Sequence, residues 1–156
     1  MYTREDGREI TFGEAIKEAL MGEMHRDSHV FIIGEDVAAA GTVFKVLTGL
    51  LDEFGPERVI DSPISEAGIT GIGVGAAVTG MRPVVDIMFG DFTTLAMDQM
   101  VNQAAKTHYM SGGRLRVPMV IRTTMGAGRR SAAQHSQSLH AWYSHVPGLQ
   151  VRPEER

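Results

Sequence analysis

Apolar positions near the start of the chain recur at helical intervals. They follow Thr11, which forms a capping-box pattern with Glu14, and they are Phe12, Ile16, Leu20 and Met24. This pattern predicts a helix at about 11–27. The run at 30–33 is apolar at every position, which is typical of a strand buried on both faces of a parallel sheet.

The same alternation of helical spacing and short apolar runs continues to the end of the chain. Further strands are predicted at 59–61, 83–88, 117–123 and 149–151. Further helices are predicted at about 44–54, from Ser65, at about 92–110 and near 137–145, with irregular loops at 37–43 and 125–137. Together these elements imply one α/β domain over residues 1–156, with three layers and a mostly parallel sheet covered by helices on both faces.

Ligands of parallel sheets bind beyond the carboxyl ends of the strands. Polar groups follow three predicted strands at 34–36, at 62–66 and in the segment that ends at His135. We therefore expect these segments to lie at one edge of the sheet and to form the site.

Composition narrows the classes of function. The net charge is −4 with scattered basic residues, which argues against nucleic acid and anionic membranes as partners. The chain has no cysteine, which excludes disulfides, thiolate metal sites and a cysteine nucleophile. It shows neither a secretory signal nor a run long enough to span a bilayer, so we expect a cytoplasmic protein.

A run of glycines at 68, 71, 73 and 75 suggests two interpretations. A dinucleotide-binding turn has the order G-x-G-x-x-G and lies between a strand and a helix. Here the order is G-x-x-G-x-G-x-G, inside a predicted helix. The run favours close helix packing, and a nucleotide-binding α/β domain remains a minor alternative.

Glu66 follows Asp61-Ser62-Pro63-Ile64-Ser65 and opens the glycine-rich helix. On composition alone, a glutamate in a first helical turn most simply complements the helix dipole. A catalytic interpretation of Glu66 depends on a resemblance that covers most of the chain.

Three segments carry that resemblance: DSPISEAGITGIGVGAAVTGMRPVVDIMFGDF, DQMVNQAAKTHYMSGG and AAQHSQSLHAWYSHVPGL. In this order they resemble the beta subunits of thiamine-diphosphate-dependent 2-oxo acid dehydrogenases, which use pyruvate, branched-chain oxo acids or acetoin. These are members of the transketolase-like superfamily, and the likeness runs from Thr11 to Val151. The acetoin enzymes are especially similar around VIRTTMGAG and AAQHSQ.

The resemblance implies a pyrimidine-binding domain for thiamine diphosphate. In the family, the residue at Glu66 hydrogen-bonds a ring nitrogen of the aminopyrimidine and activates the cofactor, and the residue at His135 faces its reactive end. Met88 and Phe92 match positions beside the pyrimidine ring, although strand-end and helix-start packing explains them equally well. Glu35 matches an acid in a polar passage between paired active sites, and an ordinary loop acid is an equal interpretation.

The resemblance also implies partners. The chain has no Gly-Asp-Gly segment, so a partner alpha subunit would hold the diphosphate and Mg²⁺, with no metal ligand in this chain. We expect a homo-oligomer or heterotetramer, a possible dihydrolipoamide acyltransferase contact, and no activity from an isolated copy. Leu95 replaces an acid of some relatives, and the family's C-terminal domain is expected to be absent from this chain.

The implied activity is that of an oxidoreductase component that decarboxylates a 2-oxo acid, or cleaves acetoin, and passes the acyl group to lipoamide. A non-catalytic assembly or regulatory module of the same fold is the alternative.

Overall fold

The centre of the fold is a four-stranded parallel sheet. The computed structural model describes residues 2–3 and 7–152, so the chain end at 153–156, where a further domain was expected to begin, lies outside the described residues. Two short strands, β1 (Tyr2–Thr3) and β2 (Glu9–Ile10), form an antiparallel pair. The main sheet contains β3 (Val30–Gly34), β4 (Val59–Asp61), β5 (Arg82–Ile87) and β6 (Val120–Thr123), in the spatial order β4-β3-β5-β6 and parallel throughout.

Helices cover both faces of this sheet, as the sequence predicts. They are α1 (Phe12–Arg26), α2 (Leu50–Phe54), α3 (Glu66–Val78), α4 (Ala105–Met110) and α5 (His140–Ser144). On one face, alternate strand residues pack with Met24 of α1 and Leu50 of α2. On the other face, the intervening strand residues pack with Ile69 of α3 and Tyr143 of α5. The expected three-layer α/β architecture is therefore confirmed.

The start of α1 follows the predicted capping box. The Thr11 hydroxyl accepts a hydrogen bond from the Glu14 amide at 3.2 Å, and the Thr11 amide donates to the Glu14 carboxylate at 2.7 Å. These two bonds satisfy amides that the first helical turn leaves without an intrahelical partner.

Two predicted helices are shorter or less regular than the sequence suggests. The helix expected at about 44–54 is only Leu50–Phe54, because the chain before it turns through positive φ at Thr42 (69°), Lys45 (59°) and Gly49 (93°). The long helix expected at about 92–110 begins as a 3₁₀ turn at Gly90–Thr94, since the Thr93 and Thr94 hydroxyls bond to carbonyls three residues back.

The remainder of that long helix contains a π-helical stretch at Gln99–Ala104 before α4 begins. A hydrophobic pattern averaged over the whole segment does not reveal such a change of pitch.

The predictions for the last third of the chain overestimate regular structure. The strand expected at 117–123 is Val120–Thr123, and the helix near 137–145 is His140–Ser144. The strand expected at 149–151 is not formed: Leu149 and Val151 pack against the hydrophobic core without entering the sheet. The apolar residues in this segment therefore indicate partial burial and not strand pairing.

The glycine run lies within α3, and one of its members is in tight contact with the sheet. A Cβ added at Gly73 would lie 2.6 Å from Val85 Cγ2 and 3.2 Å from Met119 Cε. This contact supports the packing interpretation rather than a phosphate-binding turn. No helix in the described part of the chain is long and apolar enough to cross a bilayer.

We predict that Gly73→Ala lowers the free energy of unfolding by about 1–3 kcal/mol, because the new methyl group overpacks the contact with buried Val85. Gly75→Ala is the matched control in the same helix, since nothing lies within 4 Å of its added Cβ. The control should raise stability by roughly 0.5–1 kcal/mol through helix propensity. Urea unfolding of both variants checks the prediction, and equal effects would contradict it.

Candidate functional site

The parallel register brings the strand ends to one edge of the sheet. Gly34 of β3 lies opposite both Asp61 of β4 and Asp86 of β5, and Ile87 lies opposite Thr123 of β6. The segments that carry the predicted site residues leave the sheet at this edge: Glu35 after β3, Glu66 after β4, Met88 and Phe92 after β5, and His135 after β6.

Glu66 is the first residue of α3, and its side chain is buried. Ser65 caps this helix, with its hydroxyl accepting a hydrogen bond from the Gly68 amide at 3.3 Å. Glu66 is 7% exposed, and no described residue hydrogen-bonds to its carboxylate. The helix dipole favours a negative charge at this position. The side chain is therefore well suited to meet a donor from another molecule.

Glu35 and Glu66 belong to one acidic cluster. Burial raises the pKa of the Glu35 carboxyl, and the nearby charges of Glu66, Asp36 and Asp86 raise it further, in that order. The structure thus brings these two predicted residues into electrostatic contact. Perturbed carboxyls of this kind are frequent at functional sites, although structural networks also produce them.

Asp86 is the member of this cluster with a cationic partner. It forms a buried ion pair with Arg122, which lies directly opposite on β6. Burial raises the pKa of Asp86, and Arg122 opposes that rise without cancelling it. The sequence analysis missed this pair, because an acid in one apolar strand and an arginine in another become partners only through the register.

His135 packs against aromatic side chains from the loop after β5. Its ring centroid lies 4.6 Å from that of Phe89 and 5.2 Å from that of Phe92, with near-perpendicular planes in both contacts. Phe89 also contacts Phe44 edge-on at 5.6 Å, and the Arg129 guanidinium lies 4.0 Å from the Phe44 ring centroid. The structure therefore brings Phe92 and His135 together, as the sequence predicts for a shared site.

Phe89, Phe44 and Arg129 were not singled out from the sequence. The only local signal was the Phe-Gly-Asp-Phe segment at 89–92, which places two aromatic residues in one short turn. Phe44 lies in the segment expected to be helical, and its irregular backbone turns it toward Phe89 instead.

Met88 is half-buried at the end of β5, and its backbone connects the two loops of the site. The Thr124 hydroxyl donates to the Met88 carbonyl at 2.8 Å, and the Gly90 amide donates to the Thr124 carbonyl at 2.7 Å. These bonds hold the loop after β5 against the loop that leads to His135.

The predicted residues thus fall into two groups at the same edge. Glu35 and Glu66 form the acidic group, and Phe92 and His135 form the aromatic group beside Met88. Among the described residues, no hydrogen bond or ring contact joins the groups, and no cluster of His, Asp or Glu has the arrangement of a metal site. The arrangement offers a buried acceptor on one side and an apolar, imidazole-bearing wall on the other.

The family model for the pyrimidine-binding domain of transketolase matches residues 8–154. The chain is 54% identical over 143 residues to the pyruvate dehydrogenase E1 component subunit beta of Rickettsia conorii, covering 92% of this chain and 44% of that protein. It is 52% identical over 142 residues to the protein of the same name from Rhizobium meliloti, covering 91% and 31%.

A mitochondrial pyruvate dehydrogenase E1 component subunit beta-1 from Oryza sativa is 51% identical over 144 residues, covering 92% of this chain and 38% of that protein. The chain thus spans less than half the length of these relatives. Among solved structures, a split gene transketolase described as an inactive beta4 tetramer matches with a TM-score of 0.65 and 19% identity, over 86% of this chain and 39% of that one. That likeness shows the fold alone.

The family match over nearly the whole chain agrees with the parallel sheet and with the resemblance seen in the sequence. The chain belongs to the transketolase pyrimidine-binding domain family.

Proposed function

We propose that this chain is the pyrimidine-binding part of the beta subunit of a thiamine-diphosphate-dependent 2-oxo acid dehydrogenase, which decarboxylates its substrate and transfers the acyl group to lipoamide. The observation that supports this most strongly is Glu66, a buried carboxylate with no hydrogen-bond partner among the described residues. It lies at the ligand-binding edge of a chain 54% identical to a pyruvate dehydrogenase beta subunit.

The residues present fit an aminopyrimidine ring. A flat heteroaromatic ring needs an apolar wall and a polar group at its edge, which Phe92 and Glu66 would supply. The free carboxylate can hydrogen-bond a protonated ring nitrogen and so compensate its own burial. Met88, half-buried at the end of β5, would extend the apolar wall.

Glu66 would hold a proton at the pyrimidine ring nitrogen of a bound cofactor. A carboxyl group can share that proton with the nitrogen, whereas an amide can only offer or accept a fixed hydrogen bond. When bound, thiamine diphosphate would supply the nucleophilic carbon that chemistry at a 2-oxo group requires. This chain would contribute Glu66, whose carboxyl group positions the proton that makes the cofactor reactive.

His135 assists at the reacting end of the site. Its ring packs edge-on against Phe89 and Phe92, and no described residue hydrogen-bonds its ring nitrogens. These contacts limit the tilt of the imidazole and leave its nitrogens available to exchange a proton with the substrate.

Glu35 lies within the electrostatic field of Glu66. Burial raises the pKa of the Glu35 carboxyl, and the nearby charge of Glu66 raises it further. We propose that Glu35 belongs to a polar passage toward a second active site. Leu95, at a position where some relatives carry an acid, is 59% exposed and apolar, and would interrupt that passage.

The diphosphate and Mg²⁺ side of the cofactor is assigned to a partner alpha subunit. The chain has no Gly-Asp-Gly segment, and the described residues hold no metal-type cluster of acids and histidines. The active site would then form at the interface of a heterotetramer, with an acyltransferase as the next partner. A cofactor shared in this way explains why this chain should show no turnover alone.

Two similarities point to different substrates for the proposed enzyme. The relatives described above carry the name pyruvate dehydrogenase, whereas the segments VIRTTMGAG and AAQHSQ resemble acetoin enzymes. Turnover of the assembled enzyme with pyruvate, branched-chain oxo acids and acetoin distinguishes these classes. A complex that binds an alpha subunit but has no affinity for thiamine diphosphate would favour the non-catalytic assembly module instead.

We predict that Glu66→Gln lowers kcat by roughly 100-fold or more, because the amide cannot share a proton with the ring nitrogen. Cofactor affinity should change much less, since the apolar wall remains. The measurement is turnover of the full-length protein that carries this chain, co-expressed with an alpha-type subunit, together with titration of thiamine diphosphate.

Glu57→Gln is the matched control, since Glu57 is an exposed glutamate outside the site. It should leave kcat unchanged. Wild-type turnover in Glu66→Gln would refute the role assigned to Glu66.

We predict that Glu35→Gln stabilises the fold near neutral pH. The pKa of Glu35 is raised in the folded chain, so its neutral form favours folding below the ordinary glutamate pKa, and that contribution is lost as pH rises through the raised pKa. The variant should therefore exceed the wild type in unfolding free energy near about pH 7 and match it near about pH 4.

Urea unfolding across this range tests the prediction, with Glu57→Gln as the exposed control. A Glu35→Gln effect that is the same at both ends of the range would indicate a packing change rather than the removal of a charge.

A further inference from the structure

The position of the His135 ring depends on contacts that do not involve its ring nitrogens. His135 ends a short 3₁₀ turn, Ala133–His135, whose backbone enters through Ala132 at a φ of 63°. The ring contacts with Phe89 and Phe92 limit its tilt, but edge-on packing alone leaves a loop residue free to slide along the aromatic surface. An anchor on the loop backbone near His135 would remove that freedom.

Asp91 provides such an anchor. Its side chain is buried at 6% exposure, and Oδ1 accepts two hydrogen bonds from Gln137, one from the backbone amide at 3.3 Å and one from Nε2 at 2.8 Å. Gln137 lies two residues beyond His135 in the chain. Because the acceptor is a carboxylate, these bonds are stronger than those between neutral groups.

The same turn presents both the anchor and the aromatic wall. Asp91 and Phe92 are neighbours in the 3₁₀ turn Gly90–Thr94, so the hydrogen bonds to Gln137 and the ring contact with His135 have a common base. That base is rigid. The Thr93 hydroxyl donates to the Gly90 carbonyl at 2.6 Å and accepts from the buried Tyr143 hydroxyl at 2.7 Å.

We propose that Asp91 is a positioning residue for the reaction: by holding Gln137, it fixes the His135 imidazole at the point where that ring meets the reacting atoms. The inference rests on the proposed function, because it requires His135 to act at the cofactor's reactive end. The second carboxylate oxygen, Oδ2, is buried without a hydrogen-bond partner among the described residues, so the anchor to Gln137 is made through Oδ1 alone.

Two Asp91 variants separate anchoring from charge. Asp91→Ala removes the acceptor, and Asp91→Asn keeps an oxygen for Gln137 while placing its amide nitrogen where Oδ2 has no partner. Asp91→Ala should lower kcat by up to roughly 100-fold with a smaller change in KM, because a displacement of about 1 Å at a reacting group has that effect. Asp91→Asn should retain most of the activity.

The kinetic measurement uses the full-length protein assembled with an alpha-type subunit. Asp98→Ala is the matched control, since Asp98 is an exposed aspartate that also hydrogen-bonds an amide side chain, that of Asn102, at 2.7 Å. It should leave kcat and KM unchanged.

A second measurement reports the imidazole directly. In protein labelled with ¹³C-histidine, the His135 ring signals carry ring-current shifts from Phe89 and Phe92, and their assignment follows from their loss in His135→Gln. Asp91→Ala should move these signals while leaving those of His25 and His29 in place, and Asp91→Asn should restore them. A residue that only stabilised the fold would not move one histidine selectively.

Gln137→Met removes the side-chain donor and keeps the test valid if Asp91→Ala does not fold. It should shift the same His135 signals, and the double variant should be no worse than Asp91→Ala, because both changes break one anchor. Unchanged His135 signals and kcat in Asp91→Ala would overturn the inference, as would Asp91→Asn as damaging as Asp91→Ala. Wild-type kcat in His135→Gln would instead overturn the role proposed for His135 itself.

Discussion

The pairing of β5 with both of its neighbours, together with that of β4 with β3, determines where every part of the candidate site lies. β5 is hydrogen-bonded to β3 on one side and β6 on the other, and all three run in the same direction. Their carboxyl ends therefore meet at one edge, and the loops that leave them are close neighbours although far apart in the chain. The acidic group after β3 and β4 and the aromatic group after β5 and β6 are both consequences of that arrangement.

The electrostatics of this edge oppose folding. Glu35 and Glu66 carry like charges in a partly dehydrated setting, and among the described acids of the cluster Asp86 has the ion-pair partner, Arg122. Burial costs of this kind persist when a site needs the charge, because stability is then supplied elsewhere. Here the two hydrophobic clusters on opposite faces of the sheet supply it.

Local signals in the sequence predicted the regular parts of the fold well. The capping box at Thr11 predicted the start of α1, and the uninterrupted apolar run at 30–33 predicted β3. The prediction failed where tertiary contacts decide the backbone. The threonine hydroxyls of Gly90–Thr94 replace a regular helical start, and Leu149 and Val151 are partly buried without strand pairing.

For the candidate site, the resemblance selected Glu66 and His135, and the roles of both remain proposals. Phe89 and Asp91 were beyond sequence reasoning, because their partners lie over 40 residues further along the chain and only the folded sheet brings them near.

The buried pair of Asp86 and Arg122 also bears on how the sheet selects its own alignment. Side chains alternate between faces along a strand, so moving β6 by one residue relative to β5 would turn Arg122 to the opposite face. Asp86 would then remain buried without a cation, a penalty that an all-apolar strand could not impose. A misaligned sheet is therefore less stable than the native one. The native register also places the start of the loop that carries His135 beside the end of β5. An insertion within β6 itself would separate the two charges.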